Sequence, residues 1–210
     1  MSMKFLFCRV PWMEEYDGTE SDCPEAETFL PVEITGEDDS LHSLLLGTVS
    51  GKTALDISGL CEHPADGFAS AVTVVFCAET PNGILAAVGW YQNANVSARK
   101  EAMEFSDENG GSAVREFFFC GRTEDAVLLP LEERFSFLPV PRNKSKAPGK
   151  YGFSADPVWY ARESAAKSWL ASVEEKISSY DGENWLEDAD EEDASDTEDT
   201  SGTEETSVME

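Results

Sequence analysis

Residues 71–91 read Ala71-Val72-Thr73-Val74-Val75-Phe76-Cys77-Ala78-Glu79-Thr80-Pro81-Asn82-Gly83-Ile84-Leu85-Ala86-Ala87-Val88-Gly89-Trp90-Tyr91. Two runs rich in β-branched and aromatic residues flank Thr80-Pro81-Asn82-Gly83, a turn signal ending in Asn-Gly. The pattern predicts an antiparallel hairpin. Both runs are almost continuously apolar, which places them inside a sheet covered on both faces.

Outward from the hairpin, Lys4 to Val10 reads as a buried strand stopped by Pro11. Val96 to Arg99 reads as a short strand, Lys100 to Gly111 as a polar loop ending in Asn109-Gly110-Gly111, and Val114 to Cys120 as another strand. Glu124 to Pro130 holds a short strand ended by proline, and Phe135 to Val140 is extended. Leu41 to Val49 suits a strand or a helix, Leu55 to Leu60 a single helical turn, and residues 13–40 an acidic, turn-rich loop. From Ala161 to Tyr180 the apolar residues Ala165, Trp169, Val173 and Ile177 recur every four positions, with Ala166 and Leu170 beside them, the stripe of a helix packed on the sheet. The expected fold is α+β: a strongly curved, mostly antiparallel sheet of about five to seven strands, small and barrel-like, covered by that C-terminal helix.

The chain has 210 residues, 42 acidic and 15 basic, for a net charge of -27. Asp181 to Glu210 holds 14 of the acids and no Lys or Arg, which leaves 28 acids against 15 bases in residues 1–180. One globular domain over 1–180 and a disordered acidic tail over 181–210 are expected. Ser195 and Ser201 each precede a glutamate by three residues, an acidic-directed phosphorylation pattern. A negative body repels phosphate backbones and argues against general nucleic-acid binding. It suits a basic protein partner, reached through the tail, and no membrane, since no run approaches a span. The five cysteines lack CxxC spacing, which points to free thiols in the cytoplasm. His42 and His63 fall in no ligand pattern, no phosphate or dinucleotide loop is present, and no nucleophile–base set stands out, so no metal, cofactor or catalytic residue is assigned.

Gly89-Trp90-Tyr91-Gln92-Asn93-Ala94-Asn95-Val96 supports two readings. In one, the rings pack the core and the asparagines shape a turn. In the other, aromatic faces stack a planar ligand and amides read its edge. For that site the ligand-binding candidates are Trp90, Tyr91, Asn93, Asn95, Trp159 and Tyr160. Pro141 to Tyr151 carries Arg142, Lys144, Lys146 and Lys150 and no acid. With Arg99, the residues Arg142 and Lys144 are the candidates for phosphate contact.

Gly89-Trp90-Tyr91-x-Asn93-Ala94-x-Val96, Leu128-Leu129-Pro130-x-x-Glu133-Arg134, Val140-Pro141-Arg142 and Val158-Trp159-Tyr160-Ala161 together resemble a microbial family with GWYxNAxV, LLPxxER and VWYA motifs. Some of its members are joined to HNH nuclease domains. The resemblance spans roughly residues 3–178. This chain has Asn95-Val96-Ser97-Ala98 where that family often has Thr-Val-Tyr-Arg, with Arg99 one position later. The short-strand pattern is similar to small PUA/EVE barrels, which implies recognition of a modified base in an aromatic cage. The leading expectation is a non-enzymatic reader of a flipped or single-stranded modified nucleotide. A second is an acidic protein-interaction module of defence or anti-defence, including nucleic-acid mimicry. A third is a metal-dependent nuclease, or a remnant of one, built from Asp125, Glu132, Glu133 and Lys144.

Overall fold

The computed structural model describes residues 3–16, 18, 23–35, 40–61, 64–106, 111–144 and 149–188. The expectations for His63, the Asn109-Gly110 turn, Lys146, the two phosphorylation patterns and the tail beyond 188 lie outside these residues. The hairpin is there. β4 (Phe68–Glu79) and β5 (Leu85–Ser106) pair antiparallel from Glu79↔Leu85 onward. Thr80 N–H donates to Ile84 O and Gly83 N–H to Thr80 O, both at 2.8 Å, with Gly83 at φ +77° as the Asn-Gly turn requires.

β5 runs through both the expected short strand and most of the expected loop. Beyond Lys100 only Met103 and Phe105 are large apolar residues, so its alternation is faint in sequence. The remaining strands are β1 (Lys4–Arg9), β2 (Pro31–Thr35), β3 (Leu41–Gly47), β6 (Ser112–Arg122), β7 (Ala126–Leu128) and β8 (Val158–Trp159). Among the described residues they form one sheet in the order β2-β3-β6-β5-β4-β1-β8, with β7 taking over on β5 where β6 ends. β1 lies parallel to β4; the other neighbours are antiparallel. β2 and β8 end the sheet and do not pair with each other, so it is open, and the expected barrel-like closure is corrected.

Both faces are buried, as the apolar runs of β4 and β5 require. On one face Leu6, Cys8, Val74, Phe76 and Tyr91 pack under Met13, Tyr16 and Phe29 of the N-terminal segment and Ile57 and Leu60 of a 3-10 turn. On the other, Phe5, Phe7, Val75, Cys77 and Trp90 pack under Phe153, Trp159 and the helix α1 (Lys167–Ser178). α1 starts later than the expected Ala161, because β8 and a 3-10 turn at Ser164–Ala166 occupy the approach. That turn shifts the phase: Ala166, Val173 and Ile177 are buried while Ala165 is exposed.

The expected domain end at residue 180 is also corrected. Asn184, Trp185 and Leu186 pack on the body, and a one-turn helix α2 (Trp185–Asp188) follows. Leu186 is buried in the first core, so the globular unit includes the first residues of the acidic segment.

Candidate functional site

Each residue of the Gly89–Val96 stretch has a structural assignment. A methyl built on Gly89 would lie 2.3 Å from the Val127 carbonyl oxygen and 2.6 Å from Cζ of Phe29. Glycine therefore lets β7 and the Phe29 ring close onto β5. Trp90 is 1% exposed, stacked on Phe137 at 5.5 Å and met edge-on by Tyr180 at 5.3 Å. Tyr91 is fully buried on the opposite face, edge-on to Phe76 at 4.7 Å, with its hydroxyl donating to the Thr28 carbonyl oxygen. Burial holds the Tyr91 phenol well above its ordinary ionisation range.

Successive strand residues point to opposite faces, so Trp90 and Tyr91 cannot wall one slot. The stacking assignment is corrected: both rings are core.

The asparagines mark a bulge. Val74 pairs with Tyr91 and Val72 with Ala94, so Gln92 and Asn93 oppose the single residue Thr73. Asn93 takes φ +52°, a conformation asparagine tolerates better than most residues, and its Nδ2 donates to Asp125 Oδ1 at 3.3 Å. Asn95 is exposed, paired with Cys120. The amides thus lie at the surface while the rings lie beneath it.

Trp159 is 7% exposed, packed on Phe7 at 5.0 Å and Trp169 at 5.4 Å, and its Nε1 donates to the Glu163 carboxylate at 3.0 Å. Tyr160 packs on the other face, accepts the Asp56 N–H at 2.9 Å, and carries the Arg162 guanidinium 4.5 Å above its ring. Like Trp90 and Tyr91, these two neighbours are split between the cores. The six ligand-binding candidates do not converge.

The phosphate candidates divide. Arg142 pairs with Glu79 at 2.9 Å. That hydrogen bond and charge, with smaller contributions from Lys144 and Arg9, lower the Glu79 carboxyl pKa. Arg9, Arg142 and Lys144 therefore share one region at the end of β4. Arg99 instead bridges to Ala54, fourteen residues along β5 from Leu85, the partner of Glu79. Among the residues of the nuclease reading, Asp125 accepts from Asn93 and Glu133 from Tyr180, while Lys144 acts on the Glu79 carboxyl. No group of three or more His, Cys, Asp and Glu side chains among the described residues is arranged to hold a metal. All five cysteines are free thiols.

Two features escaped the sequence. Arg134 is fully buried, donating from Nε to Leu129 O at 2.7 Å and from Nη1 to Met13 O at 2.9 Å and Glu14 O at 2.7 Å. The second is Asn184, whose Oδ1 accepts Leu128 N–H and whose Nδ2 donates to Ala126 O, both at 3.0 Å. Beside it the Tyr180 hydroxyl lies 3.1 Å from Glu133 Oε2 and 2.7 Å from Glu183 O. Desolvation, then the charges of Glu133, Glu183 and Asp181, push its ionisation far up. The acidic run thus departs beside Glu133, Asp181 and Glu183.

No family model, no curated protein and no solved structure matches the chain.

Proposed function

We propose that this chain is a non-catalytic interaction module whose partner is a cationic protein. One observation carries the reading: the acidic run does not hang from an arbitrary chain end but leaves from a docked point. Asn184 and Leu186 fix it to β7 and the first core, beside Glu133, Asp181 and Glu183. The sequence from Asp181 to Glu210 carries 14 acids and no base, a charge balance that favours a basic surface. Defence or anti-defence roles, including imitation of a nucleic acid toward a basic protein, fall within this reading.

The test keeps the chain whole. Replacing the acids between Asp190 and Glu205 by Asn and Gln should abolish most binding to a strongly basic protein such as a histone octamer, and wild-type binding should fall steeply with salt. Equal binding by both forms at low salt rejects the reading.

A second reading is supported by Arg9, Arg142 and Lys144 around Glu79. They form a local positive edge suited to one phosphate of a nucleic acid, without base stacking. Titration with a short single-stranded oligonucleotide at low salt tests it. Binding lost in R142Q supports it, and no binding by the wild type ends it.

A further inference from the structure

β7 has two edges, and among the described residues only one is paired with a strand. The inner edge pairs with β5 through Gly89↔Leu128 and Tyr91↔Ala126. The outer edge presents Leu128 N–H and Ala126 C=O, and both are taken by the carboxamide of Asn184, at 3.0 Å each. A primary amide offers the same donor and acceptor as a peptide unit, so Asn184 stands where a residue of another strand would stand.

The plug is tied to a weak element. Asn184 Oδ1 also accepts Leu186 N–H at 3.3 Å and so caps α2. α2 is four residues long, far below the length at which a helix sustains itself, and Leu186 is its buried side chain among those described. Such a segment opens locally before the sheet does.

We propose that the outer edge of β7 is a docking edge for an extended, lysine- or arginine-bearing segment of a partner protein, which adds as a strand once the Asn184–Leu186 strap lifts. This rests on the cationic-partner reading and locates its contact. Charge selects the occupant. Glu124 and Asp125 precede β7, Glu132 and Glu133 follow it, and Asp181 and Glu183 lie just before the strap. The cations nearby are already engaged: Arg122 with Glu124, Arg134 with Met13 and Glu14 carbonyls, Lys176 with the Phe137 carbonyl. A second copy of this chain, at -27, is repelled. Main-chain bonds to Leu128 and Ala126 give affinity, and the flanking acids favour basic side chains at alternate positions.

Because the strap competes for the edge, apparent affinity is reduced by the fraction of molecules that are open. The test uses the full chain and a fluorescein-labelled peptide of alternating lysine and valine, followed by anisotropy at near-physiological salt. N184A should bind about tenfold more tightly than wild type, as removal of such a competing state does. Adding Leu128→Pro, which deletes the outward N–H, should abolish the gain. Should that variant fail to fold, amide exchange decides: in N184A the Leu128 amide should gain protection when the peptide binds. Equal affinity of wild type and N184A, or no added protection at Leu128, overturns the proposal. If every form binds equally and binding vanishes with salt, the cationic-partner reading survives and the β7 edge does not. If no form binds at any salt, both fall.

Discussion

The Arg134 guanidinium lies 4.9 Å from the centre of the Trp185 ring and 5.5 Å from that of Tyr16. One buried cation thus joins the N-terminal segment, the turn after β7 and the start of the acidic run. It does so by donating to main-chain carbonyls that loop segments would otherwise leave unpaired in the interior.

Arg134→Met should therefore be costly. Two buried carbonyls and one part-buried carbonyl lose their donor, and two aromatic faces lose their cation. At roughly 1 kcal/mol for each stranded buried acceptor, the expected loss is about 2 kcal/mol or more, read as a lower denaturant midpoint. A loss under about 1 kcal/mol would show that the carbonyls find other donors. Arg134→Lys should recover only part, because an ammonium cannot fork to all three carbonyls.

Gly89→Ala sets a methyl against a backbone oxygen that cannot move without parting β5 from β7. Overpacking of this kind costs about 1–3 kcal/mol, and contact with backbone places Gly89 at the upper end. Gly83→Ala is the control. A methyl there meets nothing within 4 Å, and only its φ of +77° is disfavoured. A larger drop in melting temperature for G83A than for G89A would contradict this assignment of the motif glycine.

The hairpin, its turn, β1, most of β6 and the helix were legible because each rests on local chemistry: β-branched runs, Asn-Gly and a four-residue stripe. The open sheet was not, since nothing within β1 says that it will lie parallel to β4. Of the two readings of the Gly89–Val96 stretch, core packing holds and the ligand slot fails for a definable reason. An aromatic pair followed by amides has the composition of a binding slot, but the alternation of a strand sends Trp90 and Tyr91 to opposite cores. Asn93 was the residue to weigh: an asparagine between a buried Tyr91 and a buried Ala94 marks a bulge as readily as a ligand. The Arg of the LLPxxER motif gave no sign of burial, because two of its three carbonyl partners lie more than a hundred residues away.

Trp90→Ala distinguishes core from slot. A slot wall is removed at little cost to stability, whereas a 1% exposed indole stacked on Phe137 is not. The expected destabilisation is about 3–5 kcal/mol by chemical denaturation. Adding free nucleosides to the native protein should leave Trp90 emission unchanged. A variant that keeps its stability would restore the ligand-slot reading of the stretch.

Tyr91→Phe gives a prediction in which pH changes the size of the effect. Near neutrality the variant should lose about 1 kcal/mol, because the Thr28 carbonyl loses its donor inside the core. The Tyr91 phenol ionises well above 10.0 in the folded state, chiefly through burial, while in the unfolded chain it ionises near that value. A folded-state pKa that is raised stabilises the protein fully below the unfolded value and less as pH rises beyond it. Above pH 10 the unfolded wild type therefore gains about 1.4 kcal/mol per pH unit from ionisation at Tyr91, and the phenylalanine variant gains none there. Cys8 and Cys77 are also held protonated by burial, but they are common to both proteins and cancel in the comparison. The stability gap should close near pH 11 and reverse above it, as measured by denaturant unfolding under reducing conditions. A gap that stays constant from pH 7 to pH 11 would mean that Tyr91 reaches water, against its position between Phe29, Phe76 and Gly121.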